Sequence, residues 1–122
     1  MVSDNPEAMI LDKEGSYGRL VKSELESIIL ALLLEKPMCG TDIIKTVHAK
    51  FGLLLSPGTI YPLLHDLERR GLVRCDQGNK VKVYRPVKEM RKKIGQMLRS
   101  RVSTMKSIID FLMSVSDRAD SA

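Results

Sequence analysis

From Ser56 the chain reads Ser-Pro-Gly-Thr-Ile-Tyr-Pro-Leu-Leu-His-Asp-Leu-Glu-Arg-Arg-Gly, a stretch that holds both a helix start and a helix stop. A Ser56 hydroxyl can cap the first turn, and Pro57 suits the first helical position because its missing N–H would be unpaired there. Gly71 supplies the left-handed residue that ends a helix. Between them Ile60, Leu63, Leu64 and Leu67 follow the i, i+3, i+4, i+7 rule of a buried face. The opposite side then carries Gly58, Tyr61, Pro62, His65 and Arg69. The spacing predicts a helix over 57–70 that is anchored by one side and free on the other.

What surrounds this helix narrows the architecture. Upstream, Ser23 and Glu26 form a capping-box pattern before the apolar run Ile28–Leu34, and Pro37 ends that helix. Gly40-Thr41-Asp42 opens a second helix with Thr41 as its cap and Ile43, Ile44, Val47 and Phe51 as its stripe. Downstream, Leu72–Asp76 and Val81–Arg85 are β-like runs joined by the turn-rich Gln77-Gly78-Asn79-Lys80. Alternation puts Val81 and Val83 on one face of the second run and Lys80, Lys82 and Tyr84 on the other. Three helices followed by a two-stranded wing make a winged helix-turn-helix, mainly α with a small β-hairpin.

A long helix is expected from about residue 87 to 115. Met90, Ile94, Met97, Leu98, Val102, Met105, Ile108, Ile109 and Leu112 recur at three- and four-residue steps, and no proline interrupts them. So long a stripe exceeds what the rest of a small chain can cover. A second copy is the simplest cover, which makes these nine residues the candidate dimer interface. Folding back onto the chain's own body is the competing arrangement. The resulting division is an arm or short extra helix over 1–20, a winged-helix domain over 21–86, a dimerisation helix over 87–116 and a flexible tail over 117–122.

Charge is segregated along the chain. Residues 69–106 hold thirteen Lys and Arg against Asp76 and Glu89, whereas the remainder holds seven against thirteen acids. A one-signed surface attracts polyanions. Two cysteines, Cys39 and Cys75, are too few for a disulfide framework, and no apolar run has the length of a membrane span. The amino-terminal residues show no basic region followed by an apolar one, so the expected location is cytoplasmic.

The run Ser56–Leu64, then Leu67-Glu68 and Gly71-Leu72-Val73, resembles the signature of the phenolic acid decarboxylase regulator (PadR) family. The likeness extends through Ile29–Leu33, Pro37, Gly40, Asp42-Ile43 and Phe51-Gly52, and reaches Tyr84. It implies a winged-helix transcriptional regulator, usually a repressor, that dimerises through its carboxy-terminal helix and binds operator DNA with the helix over 57–70 and the wing over 75–85. Some members respond to small aromatic or drug-like molecules, so an effector of unknown chemistry belongs among the expected partners. The sequence departs from the family in three places. Cys39-Gly40-Thr41 stands where His-Gly-Tyr is usual, Pro86-Val87 replaces a Leu-Thr pair, and the tryptophan with which some members sandwich flat drugs is missing.

The candidate DNA contacts are Ser56, Gly58, Thr59, Tyr61, His65, Arg69, Arg74, Lys80, Lys82 and Tyr84. N–H groups at the helix start, with Gly58 allowing close approach, suit a phosphate. Thr59 can meet a phosphate or a thymine methyl, and Tyr61 and His65 can reach a base edge. Arg69, Arg74, Lys80 and Lys82 suit phosphates, which add affinity rather than sequence information. Packing against the wing is the competing role for Tyr61. No nucleophile–base pair, phosphate loop or metal-ligand spacing stands out, so neither catalysis nor a cofactor is expected. Two other uses of the fold compete with a sequence-specific homodimer on double-stranded DNA: an architectural binder of low specificity, and a winged-helix module for protein partners.

Overall fold

The computed structural model describes residues 15–77 and 80–120. Its first unit, which ends at Arg91, contains α1 (Ser16–Ser23), α2 (Leu25–Glu35), β1 (Met38–Cys39), α3 (Gly40–Phe51), α4 (Pro57–Arg69), β2 (Val73–Asp76), β3 (Val83–Pro86) and a 3-10 turn at Lys88–Met90. The helices and the hairpin follow the expected order. One strand was not expected: β1 pairs antiparallel with β3, Met38 opposite Tyr84 and Cys39 opposite Val83, giving a three-stranded sheet in the order β1-β3-β2. A two-residue strand carries no alternation to read. Its partner defines it.

α2 forms the centre of the core. Leu25, Ile29, Leu30, Leu32 and Leu33 are all buried, as expected of a helix apolar nearly all round. Ile43 and Val47 of α3 and Ile60, Leu64 and Leu67 of α4 are fully buried too. Each such side chain taken out of water contributes about 1.5–3 kcal/mol before entropy is charged against it. Leu53 and Leu55 are buried while Leu54, between them, is exposed. That alternation shows an extended link presenting every second residue to the core.

Helix ends obey local chemistry, though not always through the residue the sequence suggested. Ser23 is the last residue of α1, and its hydroxyl donates to the Leu20 carbonyl at 2.7 Å, so there is no capping box with Glu26. The chain kinks at Glu24, and α2 starts one residue later. Thr41 lies inside α3. Cys39 is the cap, its Sγ accepting from the Asp42 N–H at 3.4 Å. Tyr17 of α1 donates to the Phe51 carbonyl at 2.8 Å, which satisfies an orphan acceptor at the end of α3, and burial raises its phenol pKa. Arg91 likewise donates to Leu34, in the last turn of α2, at 3.1 Å.

The second unit spans 92–122, and its described residues belong to α5 (Arg91–Asp120). This helix runs four residues beyond the expected start of a flexible tail at 117. Nothing over 117–120 resembles a glycine or proline stop, so the ladder simply continues. Residues 1–14, most of the expected arm, lie outside the described residues, as does the centre of the wing turn at 78–79; α1 crosses the expected boundary at 20. No helix among the described residues is long and apolar enough to cross a membrane.

Candidate nucleic-acid interface

The segment between Ser56 and Gly71 forms α4, and its two ends are built differently. At the start, Ser56 has extended backbone and its carbonyl accepts from the Thr59 and Ile60 N–H groups at 3.0 and 3.2 Å. Its hydroxyl makes no capping bond to an N–H and instead lies 3.3 Å from the Thr59 hydroxyl. At the finish, Gly71 has a φ of 76°, the Leu72 N–H bonds the Leu67 carbonyl and the Gly71 N–H bonds that of Glu68, each at 3.0 Å. These two bonds form a Schellman motif, which requires the glycine. It turns the chain directly into β2.

With Ile60, Leu64 and Leu67 buried, α4 exposes Ser56, Gly58, Thr59, Pro62, His65 and Arg69. Tyr61 is half-buried. Its ring lies against the start of α3 so closely that a Cβ on Gly40 would be 2.5 Å from the ring carbon that bears the hydroxyl. The His65 ring sits 6.3 Å from that of Tyr61, centroid to centroid. The sequence places Gly40 at a helix start; in the fold its missing side chain is what seats Tyr61. A glycine one residue after a helix cap is the signal that could have pointed there.

Basic residues of this surface divide into held and unheld. Arg69 is ion-paired to Asp66. Arg70 bridges Glu26 of α2 at 2.7 Å and Asp66 at 3.1 Å, tying α4 to the core helix. The hydrogen bond from Arg70 is the main cause of a lowered Asp66 pKa, and those from Glu26 and then Asp66 raise that of Arg70. On the wing, Arg74 and Arg85 both reach Asp76. Lys80 and Lys82 are exposed and have no ion-pair partner among the described residues.

Tyr84 corrects one expectation. It is 1% exposed and faces the core, opposite Cys75 in the register, so it is not available to DNA. Burial and then the neighbouring Cys75 push its phenol pKa up to about 12. Val81 precedes the strand and is exposed, so the alternation taken from it was out of phase. A second correction concerns α5. Ile94 is already buried in the single chain and is removed from the candidate dimer face. Met90, Met97, Leu98 and Met105 are half-buried, while Val102, Ile108, Ile109 and Leu112 are each more than half exposed. Phe111, Met113 and Val115 join that exposed apolar set. Among the described residues no three His, Cys, Asp or Glu converge to hold a metal ion.

Comparison with known proteins adds an independent line. Transcriptional activator GvpE of Haloferax mediterranei is 38% identical over 66 residues, 53% of this chain and 34% of that protein. The chain thus spans about a third of the length of that relative. A transcriptional regulator from Clostridium thermocellum superposes with a TM-score of 0.66 at 26% identity, covering 76% of this chain and 97% of that one. A Thermoplasma acidophilum structure described as a transcriptional regulator gives 0.63 at 28% identity, covering 79% and 96%. The model of the transcriptional regulator PadR-like family matches residues 29–95, more than half of the sequence, from within α2 through the wing. The chain belongs to the transcriptional regulator PadR-like family.

Proposed function

We propose that two copies of this chain form a sequence-specific DNA-binding transcriptional regulator in the cytoplasm. One observation carries the proposal: α4 buries Ile60, Leu64 and Leu67 while presenting Gly58, Thr59, His65 and Arg69 beside a wing whose Lys80 and Lys82 are exposed and have no ion-pair partner among the described residues. A helix so anchored enters a major groove with its amino-terminal half leading, and the wing lysines add phosphate contacts. Tyr61 then acts mainly by positioning, because Gly40 already holds its ring. The exposed stripe Val102, Ile108, Ile109 and Leu112 supports pairing through α5. Such a dimer would present two recognition helices to half-sites about one helical turn, or a multiple of it, apart. Repression by promoter occlusion is the proposed outcome, with the effector, if one exists, unassigned in chemistry.

The test is selection of duplexes from a random pool by the purified chain, with its mass measured in solution. Enrichment of an inverted repeat by a species of twice the chain mass is expected. A monomer, or a pool without sequence enrichment, would overturn the proposal. Because the matched relative is named an activator, a reporter with the selected site placed across the promoter decides the sign: repression lowers its output on expression of the chain.

A further inference from the structure

The outer face of the wing carries an electrostatic arrangement that sequence alone did not reveal. Tyr84 and Pro86 of β3 are buried, so alternation turns Arg85 outward together with Arg74 and Asp76 of β2. Arg74 and Arg85 are direct partners in the register. Like charges opposite one another on adjacent strands repel. Asp76 answers that repulsion, with its Oδ2 2.5 Å from Arg85 Nε and its Oδ1 3.4 Å from Arg74 Nε. The side chains of Arg85 and Arg74 are 44% and 66% exposed and that of Asp76 34%, so both arginines face water and Asp76 is partly exposed.

We infer that Arg74 and Arg85 form a phosphate site for the DNA backbone, and that Asp76 occupies this site as a built-in competitor until a phosphate replaces it. The inference rests on the DNA-binding reading above and deepens it. Guanidinium groups match phosphate geometry, and paired arginines can clamp one phosphate from two sides. An ion pair exposed to water is weakly held, so exchanging carboxylate for phosphate is easy when the wing is well seated. With Asp76 in place the cluster carries one net positive charge instead of two. Random duplex is attracted less, and a duplex that seats the wing closely is favoured by difference. Lys80 and Lys82 have no such partner among the described residues and contact phosphates indiscriminately. Asp76 is therefore a specificity-determining residue, and Arg85 is a contact that the sequence reading omitted.

The test compares the full chain with D76N and D76E on a random-sequence duplex across a salt series, with thermal melts as folding controls. D76N should bind about three- to tenfold more tightly at low salt, with a log–log salt slope steeper by about 1 per wing, as one further phosphate contact predicts. D76E keeps the charge and should follow the wild type. Adding R85Q to D76N should return the slope toward that of the wild type. Unchanged slope in D76N, or weaker binding by a folded D76N, overturns the site while leaving the DNA-binding reading intact. A wild type that binds no duplex at low salt overturns both.

Discussion

α4 and α5 show the same apolar periodicity and treat it in opposite ways. In α4 the stripe Ile60, Leu64 and Leu67 is fully buried by the surrounding chain. In α5, Val102, Ile108, Ile109 and Leu112 repeat at the same three- and four-residue steps and remain more than half exposed. Periodicity therefore reports that a helix has a face to bury, not which surface receives it. What distinguishes the two is their surroundings. α4 is bracketed by Ser56 and Gly71, and the elements that follow and precede it return to cover its apolar side. α5 runs on for thirty residues with no stop signal.

The sharpest way to break this comparison is to make the same change in both helices. Leu64→Ala should cost about 2–5 kcal/mol in urea unfolding, since the side chain is fully buried and leaves a cavity. Leu112→Ala, at a residue 57% exposed, should leave the dilute, monomeric chain within about 0.5 kcal/mol of wild type. If α5 pairs with a second copy, the Leu112 loss should appear only as the protein concentration rises.

Glycines give a second contrast of smaller size. A Cβ on Gly40 would be driven into the Tyr61 ring, so Gly40→Ala should destabilise by about 1–3 kcal/mol. Combining it with Tyr61→Ala should remove most of that loss, because the offending atoms are gone. At Gly95 in α5 a Cβ would meet, among the described residues, only the Arg99 guanidinium at 3.5 Å. Gly95→Ala should therefore stabilise by about 0.5–1 kcal/mol through helix propensity. Destabilisation in its place would mean that a partner's backbone rests against that glycine.

The smallest expected effect is in alkali. Folding holds the Tyr84 phenol protonated up to about pH 12, whereas the unfolded chain releases that proton near the ordinary value of 10. The folded state thus binds more protons in this window, and stability should fall as pH rises from about 10 to about 12. Phenolate absorbance followed with unfolding would show it, and Tyr84→Phe should flatten the decline.

Much of the winged-helix unit was legible because its signals are local. Pro57 and Gly71 bracket α4 by fixed backbone preferences, and Pro37 ends α2 by excluding helical geometry before it. The failures have one shared character. Cys39 displaced Thr41 as the cap of α3 because the sheet brings β1 up to that helix, and a thiol is not the acceptor that capping rules favour. Ser23 satisfied its hydroxyl backwards, on Leu20, where a forward capping box was expected. Tyr84 turned inward because the strand begins at Val83, a phase set by pairing with Cys75 rather than by the alternation around Val81. The ion pairs of Arg70 with Glu26 and of Arg85 with Asp76 join residues that no spacing rule connects.

The sequence by itself determined where α4 starts and stops, where α2 ends, which helix faces are apolar, and that positive charge concentrates from Arg69 onward. Those properties follow from dihedral limits, side-chain chemistry and counting along the chain. Only the tertiary structure decided that Tyr61 leans on Gly40, that Tyr84 belongs to the core, and that Asp76 holds two arginines across the wing. Each depends on groups brought together by strand register and helix packing, and free-energy differences between such pairings are not written in any local window. α4 forms from its own residues; the partners that position and restrain it come from the fold.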